Sequence, residues 1–207
     1  MKKVFTILLT LLLAMSITAC GDNGKKVESK KSVETEGQEE QTEEKADEGE
    51  IVDDADMRKE PIITDKSVDK EGESGPFKYK VSEMQVSKVL FKSQEMIDFM
   101  EVEEGKECTL VALKVEFENT TDDTNSIYPD QAVLTSNTKE QVNADMWLSD
   151  SIGGEFLGKV KKEGTVFFVL KDTNAEDLTK ISVHIDAPHD DDYETIGDDI
   201  KWEFNFK

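Results

Sequence analysis

The chain has 207 residues, of which 47 are acidic and 25 are basic, so its formal net charge at pH 7 is −22. Nucleic-acid binding requires clustered cations that neutralise phosphates, and a balance this acidic argues against nucleic acid as a partner. After residue 19 no apolar run is longer than a strand, so the sequence predicts no membrane-spanning segment in the remainder.

The first residues have the pattern of a secretory signal peptide. Lys2 and Lys3 precede an apolar stretch over residues 4–19, and small residues lead directly to Cys20. Such a stretch is too short for a membrane helix and is typical of a cleaved signal, predicted here over 1–19. The segment resembles the lipobox of bacterial lipoproteins. That resemblance implies a diacylglycerol group on Cys20 and anchoring at the extracytoplasmic face of the cell membrane.

Residues 20–74 are predicted to form a disordered acidic tether behind the lipidated cysteine. Residues 21–74 contain 19 acidic and 9 basic side chains and no aromatic residue. Such a segment buries too little apolar area to offset the entropy of ordering its backbone. One apolar cluster, Pro61–Thr64, has two interpretations. It could have a role, either by pairing transiently with a sheet edge or by serving as a short recognition peptide. Alternatively, it is an ordinary apolar cluster in a charged linker.

A folded domain is predicted over 75–207, where aromatic residues and alternating patterns begin. The clearest strand is 110–117, in which Val111, Leu113, Val115 and Phe117 face one side. Turn residues after position 118 end it. Further strands are expected at 77–81, 84–91, 132–135, 140–143, 155–160, 165–170, 181–185 and 200–206, with brief helical alternatives at 93–100 and 175–180. Many short strands separated by turns favour an all-β, antiparallel sandwich.

Four segments of this domain resemble the telokin-like, immunoglobulin-like domains of Gram-positive lipoproteins. They are the strand and turn over 110–121, the Ile127–Pro129 segment, the pair Val133 and Leu134, and the glycine turn and strand over 163–170. The resemblance implies an immunoglobulin-like β-sandwich for which no general enzymatic activity is established. It also implies a Gram-positive cell envelope.

Carboxylates are concentrated in the loop over 189–199. Oxygen-rich loops can hold Ca²⁺, which takes six to eight oxygen ligands. However, the alternating order of the helical calcium loop is missing, and a solvated acidic turn is the favoured interpretation. A second cluster over 122–130 is expected to serve turn formation. The candidate calcium ligands are Asp190, Asp191, Asp192, Asp198 and Asp199.

Metal and catalytic patterns of other kinds are weak. Cys108 begins an apolar strand, so burial as a small hydrophobe is expected. His184 alternates with apolar neighbours and is expected to be exposed, without a second histidine at zinc-ligand spacing. No G-x-S-x-G nucleophile elbow is present, so the sequence predicts that the protein is not an enzyme.

Trp147 and Leu148 are the candidate partner-binding residues. They lie between polar residues and precede Gly153 and Gly154, which suits a loop with an exposed anchor. The competing interpretation is that Met146 and Leu148 cover the end of the sandwich as core.

The sequence thus predicts a lipid-anchored binding or adaptor module of the cell envelope, with an envelope protein as partner and no catalytic activity. Two alternatives remain open at this point. One is a calcium-dependent domain that uses the acidic loop, and the other is a small envelope hydrolase whose residues meet only on folding.

Overall fold

A computed structural model describes residues 49–206. Strands dominate this part, together with one short α-helix, α1 (Gln94–Met100), and 3₁₀ turns at Pro129–Gln131 and Ala175–Asp177. The strands are β1 (Val52–Asp53), β2 (Met57–Asp65), β3 (Lys70–Ser74), β4 (Phe77–Phe91), β5 (Cys108–Asn119), β6 (Thr124–Ile127), β7 (Val133–Ser136), β8 (Gln141–Asn143), β9 (Gly154–Leu157), β10 (Lys161–Leu170), β11 (Lys180–Ile185), β12 (His189–Asp190) and β13 (Ile200–Asn205).

The largest sheet has the strand order β1-β2-β4-β5-β10, and β3 pairs with the first part of β4. The other two sheets have the orders β13-β11-β7-β8 and β12-β6-β9. Every strand pair in these sheets is antiparallel. The prediction of an all-β antiparallel fold is therefore confirmed.

The main core lies where the large sheet faces the two smaller ones. Val111, Leu113, Val115 and Phe117 of β5 are at most 1 % exposed, because alternate residues of a strand point to the same face. Aromatic contacts join the sheets: the rings of Phe117 and Trp202 lie 6.2 Å apart. Burial of these side chains is the dominant favourable term in folding.

Helix α1 covers the opposite face of the large sheet. Its first turn is capped by the Ser93 side chain, which accepts a hydrogen bond from the Met96 backbone N–H. The helix ends at Glu101, whose φ of 51° is left-handed. Ile97 and Met100 are buried beneath it in a second cluster, which also contains Val89, Phe91, Cys108, Leu110 and Val169.

The predicted tether is wrong over residues 52–74. Strand β2 pairs with the second part of β4, from Met57 opposite Phe91 to Asp65 opposite Met84. Strand β3 pairs with the first part of β4. Ile63 packs against the main core. These strands need few apolar residues of their own because β4 supplies both the hydrogen-bonding edge and the apolar face. Residues 1–48, and with them the predicted signal peptide over 1–19 and Cys20, lie outside the described residues.

The Pro61–Thr64 cluster belongs to β2 and pairs with β4, so the sheet pairing that one interpretation expected is present as part of a regular strand, and the interpretation as a linker segment is wrong. The register shifts between Pro61 and Ile63, which is a β-bulge, and leaves Ile62 exposed. Proline lacks a backbone N–H, so a bulge is a suitable place for it within a sheet.

The remaining strand predictions agree with the structure, apart from their boundaries. Segments 77–81 and 84–91 form one strand, β4, with a register shift between Val81 and Glu83 in its pairing with β5. Strand β10 begins at Lys161 rather than 165. The helical alternative at 93–100 is confirmed by α1, whereas 175–180 contains only a 3₁₀ turn before β11.

Candidate functional site

An exposed apolar group lies beside helix α1. Phe99 is 49 % exposed, Met146 is 69 % exposed and Trp147 is 81 % exposed. The rings of Phe99 and Trp147 meet edge to face, with centroids 5.8 Å apart. We call these three residues the aromatic patch.

The aromatic patch contains one of the two predicted partner-binding residues. Trp147 projects into solvent, whereas Leu148 is half-buried against the cluster under α1. The interpretation of Met146 as core is wrong, because its side chain is mostly exposed.

Side chains of the loop itself hold Trp147 in place. One carboxylate oxygen of Asp145, Oδ1, accepts hydrogen bonds from the backbone N–H groups of Trp147 at 2.9 Å and Leu148 at 3.0 Å. The backbone N–H of Asp145 donates to the Phe167 carbonyl at 2.8 Å. A loop fixed in this way has less conformational entropy to lose when a partner binds.

Further bonds attach the same loop to strand β10. The Phe167 N–H donates to Ser149 Oγ at 2.9 Å, and the Thr165 N–H donates to Asp150 Oδ2 at 2.7 Å. The Asp150 N–H donates back to the Thr165 carbonyl at 3.0 Å. The loop therefore occupies an edge of the large sheet that would otherwise offer free backbone groups.

Phe99 was missed by sequence reasoning. It lies on α1 between Ile97 and Met100, which are both buried. The sequence pattern therefore does not indicate that Phe99 faces outward. Only the contact with Trp147, from a loop 48 positions later in the chain, identifies it as part of a surface.

Acidic side chains dominate the sequence around Phe99. Between residues 94 and 106 the only basic side chain is Lys106, which forms an ion pair with Asp172 at 2.9 Å. Lys171, which lines the depression beside the aromatic patch, donates from Nζ to the Glu101 carbonyl. The acidic residues of this segment are Glu95, Asp98, Glu101, Glu103 and Glu104.

The predicted calcium loop uses several of its groups for its own turns. Asp190 Oδ1 accepts hydrogen bonds from the N–H groups of Asp192 at 3.0 Å and Glu194 at 2.9 Å. Asp199 Oδ1 accepts from the Ala187 N–H at 3.0 Å, and the Asp198 N–H donates to Ser74 Oγ at 2.9 Å. The Asp191 side chain is exposed beside them.

These five aspartates do not converge on one point. Within residues 49–206 there is no cluster of three or more His, Cys, Asp or Glu side chains placed to hold a metal ion. The calcium interpretation therefore draws no support from the arrangement of the loop.

The thinner polar cluster over 122–130 is used within the fold. Asn119 is fully buried, and its Oδ1 accepts hydrogen bonds from the Thr121 backbone N–H and from Asn125 Nδ2. Asp130 Oδ2 accepts from the Gly153 N–H at 3.1 Å. The Asn119 bonds form the turn between β5 and β6, as expected for short polar side chains. The Asp130 bond instead joins the chain after β6 to the residue before β9, and Asp122 forms an ion pair with Lys159 at 3.0 Å.

Cys108 and His184 have the environments expected from the sequence. Cys108 is 2 % exposed, and burial raises the pKa of its thiol because the thiolate would lose its hydration. His184 is exposed on β11.

Similar proteins are known both for the fold and for part of the sequence. No protein-family profile matches the chain. A functionally unknown protein from Listeria monocytogenes EGD-e, known from its crystal structure, shares the fold with a TM-score of 0.55 and 13 % identity. The match covers 72 % of this chain and 88 % of that one.

In sequence, the chain is similar to the SPbeta prophage-derived uncharacterized lipoprotein YonS of Bacillus subtilis (strain 168). The two are 27 % identical over 105 residues, which is 50 % of this chain and 52 % of YonS. The chain thus spans about half the length of this curated relative. A crystal structure of ycdA from Bacillus subtilis, described as a lipoprotein candidate, gives a TM-score of 0.45 with 12 % identity over 66 % of this chain and 38 % of that one.

The similarity to YonS associates the chain with bacterial lipoproteins. In the described part of the chain, no helix has the length and apolar character needed to cross a membrane. Association with a membrane through a lipid agrees with the similarity to YonS.

Proposed function

We propose that this protein is a lipid-anchored, extracytoplasmic adaptor module that binds an envelope protein through the aromatic patch and catalyses no reaction. Diacylglycerol on Cys20 would supply the anchor. The lipobox-like segment before Cys20 and the similarity to the lipoprotein YonS support this part of the proposal. The resemblance of the domain to telokin-like, immunoglobulin-like modules of Gram-positive lipoproteins agrees with a binding role.

The observation that carries the proposal is the exposure of Phe99, Met146 and Trp147 together on one surface. Scattered apolar side chains are normal on a protein surface, but adjacent large ones are typical of interaction sites. Tryptophan in particular is enriched among the residues that contribute most to protein interfaces. The Asp145 carboxylate accepts a hydrogen bond from the Trp147 backbone N–H, which holds this part of the loop in position before any partner arrives.

The charge around the aromatic patch specifies the chemistry of the partner. The acidic segment around Phe99 would attract basic side chains and repel anionic lipid head groups. We infer that the partner presents an apolar side chain flanked by lysine or arginine. A membrane surface does not match this description, so the domain would face a protein.

Quantitative co-purification from the native envelope tests the proposal. The anchored wild-type chain is expected to recover one envelope protein well above background. Trp147→Ala should reduce recovery at least about tenfold, as for a central interface residue. Ile62→Ala, which truncates another exposed apolar side chain far along the sequence, should leave recovery unchanged.

Two results would contradict the proposal. One is equal recovery by the wild type and the Trp147→Ala variant. The other is unchanged recovery by a Cys20→Ala chain that remains soluble, because the proposed anchor would then contribute nothing to the encounter. Thermal unfolding of each variant shows whether it is folded.

A further inference from the structure

A second aromatic group lies on the small sheet β12-β6-β9. The rings of Tyr128 and His189 are nearly parallel, at 28° with centroids 5.8 Å apart. The rings of His189 and Tyr193 are also nearly parallel, at 25° and 5.2 Å. We call these three residues the aromatic stack.

Tyr193 is the exposed end of the aromatic stack, with 81 % of its surface accessible. Its backbone has a φ of 62°, a left-handed conformation that is uncommon for a residue other than glycine. The turn that imposes this conformation is closed by the Tyr193 N–H, which donates to the Asp190 carbonyl at 3.1 Å. The Asp190 N–H donates to the Glu194 carbonyl, also at 3.1 Å.

The turn places the Tyr193 ring against His189. The His189 ring also contacts Tyr128, which lies in the segment after β6, and His189 Nδ1 donates to the Asp190 carbonyl at 3.0 Å. Tyr193 stacks on His189, whose own ring is held by Tyr128 and by this hydrogen bond, and most of the Tyr193 side chain is open to solvent. Such a fixed apolar face with a polar hydroxyl is suited to ligand binding.

The aromatic stack lines an open cavity of about 330 Å³, together with several polar groups. Hydroxyl groups come from β6 and carboxylates come from β9 and the turn after β12. Carboxylates accept hydrogen bonds only, whereas hydroxyls both donate and accept. The polar residues that line the cavity are Thr124, Ser126, Glu155, Asp190 and Asp191.

We propose that the aromatic stack and these polar groups form a binding site for a neutral carbohydrate. A sugar ring has C–H groups on its face and hydroxyls around its rim. The C–H face would pack on Tyr193, since the face of an aromatic ring is negative and attracts the positive edge of C–H bonds. The rim hydroxyls would donate to Glu155 and Asp191 and exchange hydrogen bonds with Thr124.

Other ligand classes match the geometry less well. Phosphates and other anions would meet the carboxylates of Glu155, Asp190 and Asp191. A quaternary ammonium group is recognised by aromatic rings that converge around it, whereas these rings are nearly parallel and cannot enclose one point. An apolar peptide side chain would leave most of the polar lining unpaired.

Isothermal titration of the full chain with three soluble probes, chitohexaose, cellohexaose and maltohexaose, tests the proposal. At least one probe is expected to bind with saturable heat. Tyr193→Ala should weaken that binding at least about tenfold, while Tyr193→Phe, which keeps the ring face, should stay within about threefold of the wild type. Glu155→Gln should weaken it also, because the carboxylate is the stronger acceptor.

Binding by none of the three probes would overturn the proposal, as would equal binding by the wild type and a folded Tyr193→Ala variant. Saturable binding of tetramethylammonium that excludes the sugar would also overturn it in favour of a cation site. Trp147→Ala serves as the matched control and should bind the sugar normally. Loss of protein capture in Trp147→Ala with normal sugar binding separates this site from the aromatic patch.

Discussion

At Cys108, burial beneath helix α1 governs the chemistry of the thiol. Desolvation raises its pKa, and the positive charges of Lys106 and Lys171, which act in the opposite direction, do not cancel that effect. The thiolate is the reactive form of cysteine, so a raised pKa and a lack of access both suppress reaction. Cys108 contributes to packing in the same way as the apolar residues around it.

We predict that the native Cys20→Ala chain, whose single remaining thiol is Cys108, reacts at least about a hundredfold more slowly with Ellman's reagent than the same chain in denaturant. Absorbance at neutral pH measures both rates. Labelling of the native chain at the rate of the denatured chain would show that Cys108 is accessible.

Gly153 is required by a close approach of its backbone to Asp130. A Cβ atom at this position would lie 2.0 Å from Asp130 Oδ1, while Oδ2 of the same carboxylate accepts from the Gly153 N–H. The short aspartate side chain cannot move away without losing that bond. Moreover, Asp130 Oδ1 is buried without a hydrogen-bond partner among the described residues.

Gly153→Ala is therefore expected to destabilise the fold by about 1–3 kcal/mol, the usual cost of overpacking. Chemical denaturation measures the free energy of unfolding. Asp130→Ala removes the clashing group, so the double variant should be more stable than the sum of the two single effects predicts. Simple additivity would refute the clash.

Among the elements, β2 shows how a strand can form from a segment with little apolar content. Its residues alternate between half-buried and exposed along most of its length, and its backbone pairs with β4. The neighbouring isoleucines of β2 have different environments because of the bulge. Ile63 packs on the main core, and Ile62 is exposed.

The two isoleucines give a matched test of this strand. Ile63→Ala should destabilise the chain by about 1–3 kcal/mol, because it removes partly buried apolar surface from the core. Ile62→Ala should change stability by less than about 0.5 kcal/mol. Unfolding in urea measures both, and equally small effects would mean that this segment does not pack on the domain.

Strands β11 and β13 are joined by an exposed ion-pair group. Glu203 lies 3.0 Å from Lys201 Nζ and 3.2 Å from Lys180 Nζ, and hydrogen bonds from these lysines, Lys201 foremost, lower the pKa of its carboxyl below the ordinary value of 4.5. A carboxyl whose pKa is lowered by folding stabilises the protein above its ordinary pKa. That contribution is lost as pH falls through the lowered value.

Glu203→Gln is accordingly expected to have a slightly lower melting temperature than the wild type near neutral pH, since exposed pairs contribute little. The difference should shrink as the pH is taken well below 4.5, where the wild-type carboxyl is protonated. Differential scanning calorimetry at several pH values measures it. A constant difference across that range would exclude the ion pairs as its cause.

Strands with a strong alternating pattern were predictable from the sequence, and those without one were not. In β5 the apolar residues from Val111 to Phe117 occupy every second position, which defines both the strand and its buried face. Strand β2 lacks aromatic residues, so its own composition suggested disorder. It is stabilised instead by its pairing with β4. Pairing between distant segments cannot be seen in local composition.

The candidate site was predictable only in part, for the same reason. Trp147 was identified by its polar neighbours, but its exposure and its contact with Phe99 depend on where α1 lies on the large sheet. The aromatic stack joins Tyr128 to Tyr193 across 65 positions of the chain. Sequence patterns describe neighbours along the chain, whereas both surfaces are formed by neighbours in space.

For the whole molecule, the two surfaces suggest a division of roles. The aromatic patch lies beside α1 and the loop that follows β8, and the aromatic stack lies on the sheet β12-β6-β9. They use different elements, so one can be altered without the other. The net charge of −22 on the whole chain favours solubility and basic partners.

Site-specific photocrosslinking in the native envelope tests the central claim most directly. A photoreactive phenylalanine analogue is placed at Phe99, at Trp147 or at the exposed Asn205 of β13, each in the full anchored chain. We predict that Phe99 and Trp147 crosslink to the same envelope protein and that Asn205 does not. Crosslinking to that protein from Asn205 but from neither aromatic position would contradict the assignment of the aromatic patch as the binding surface.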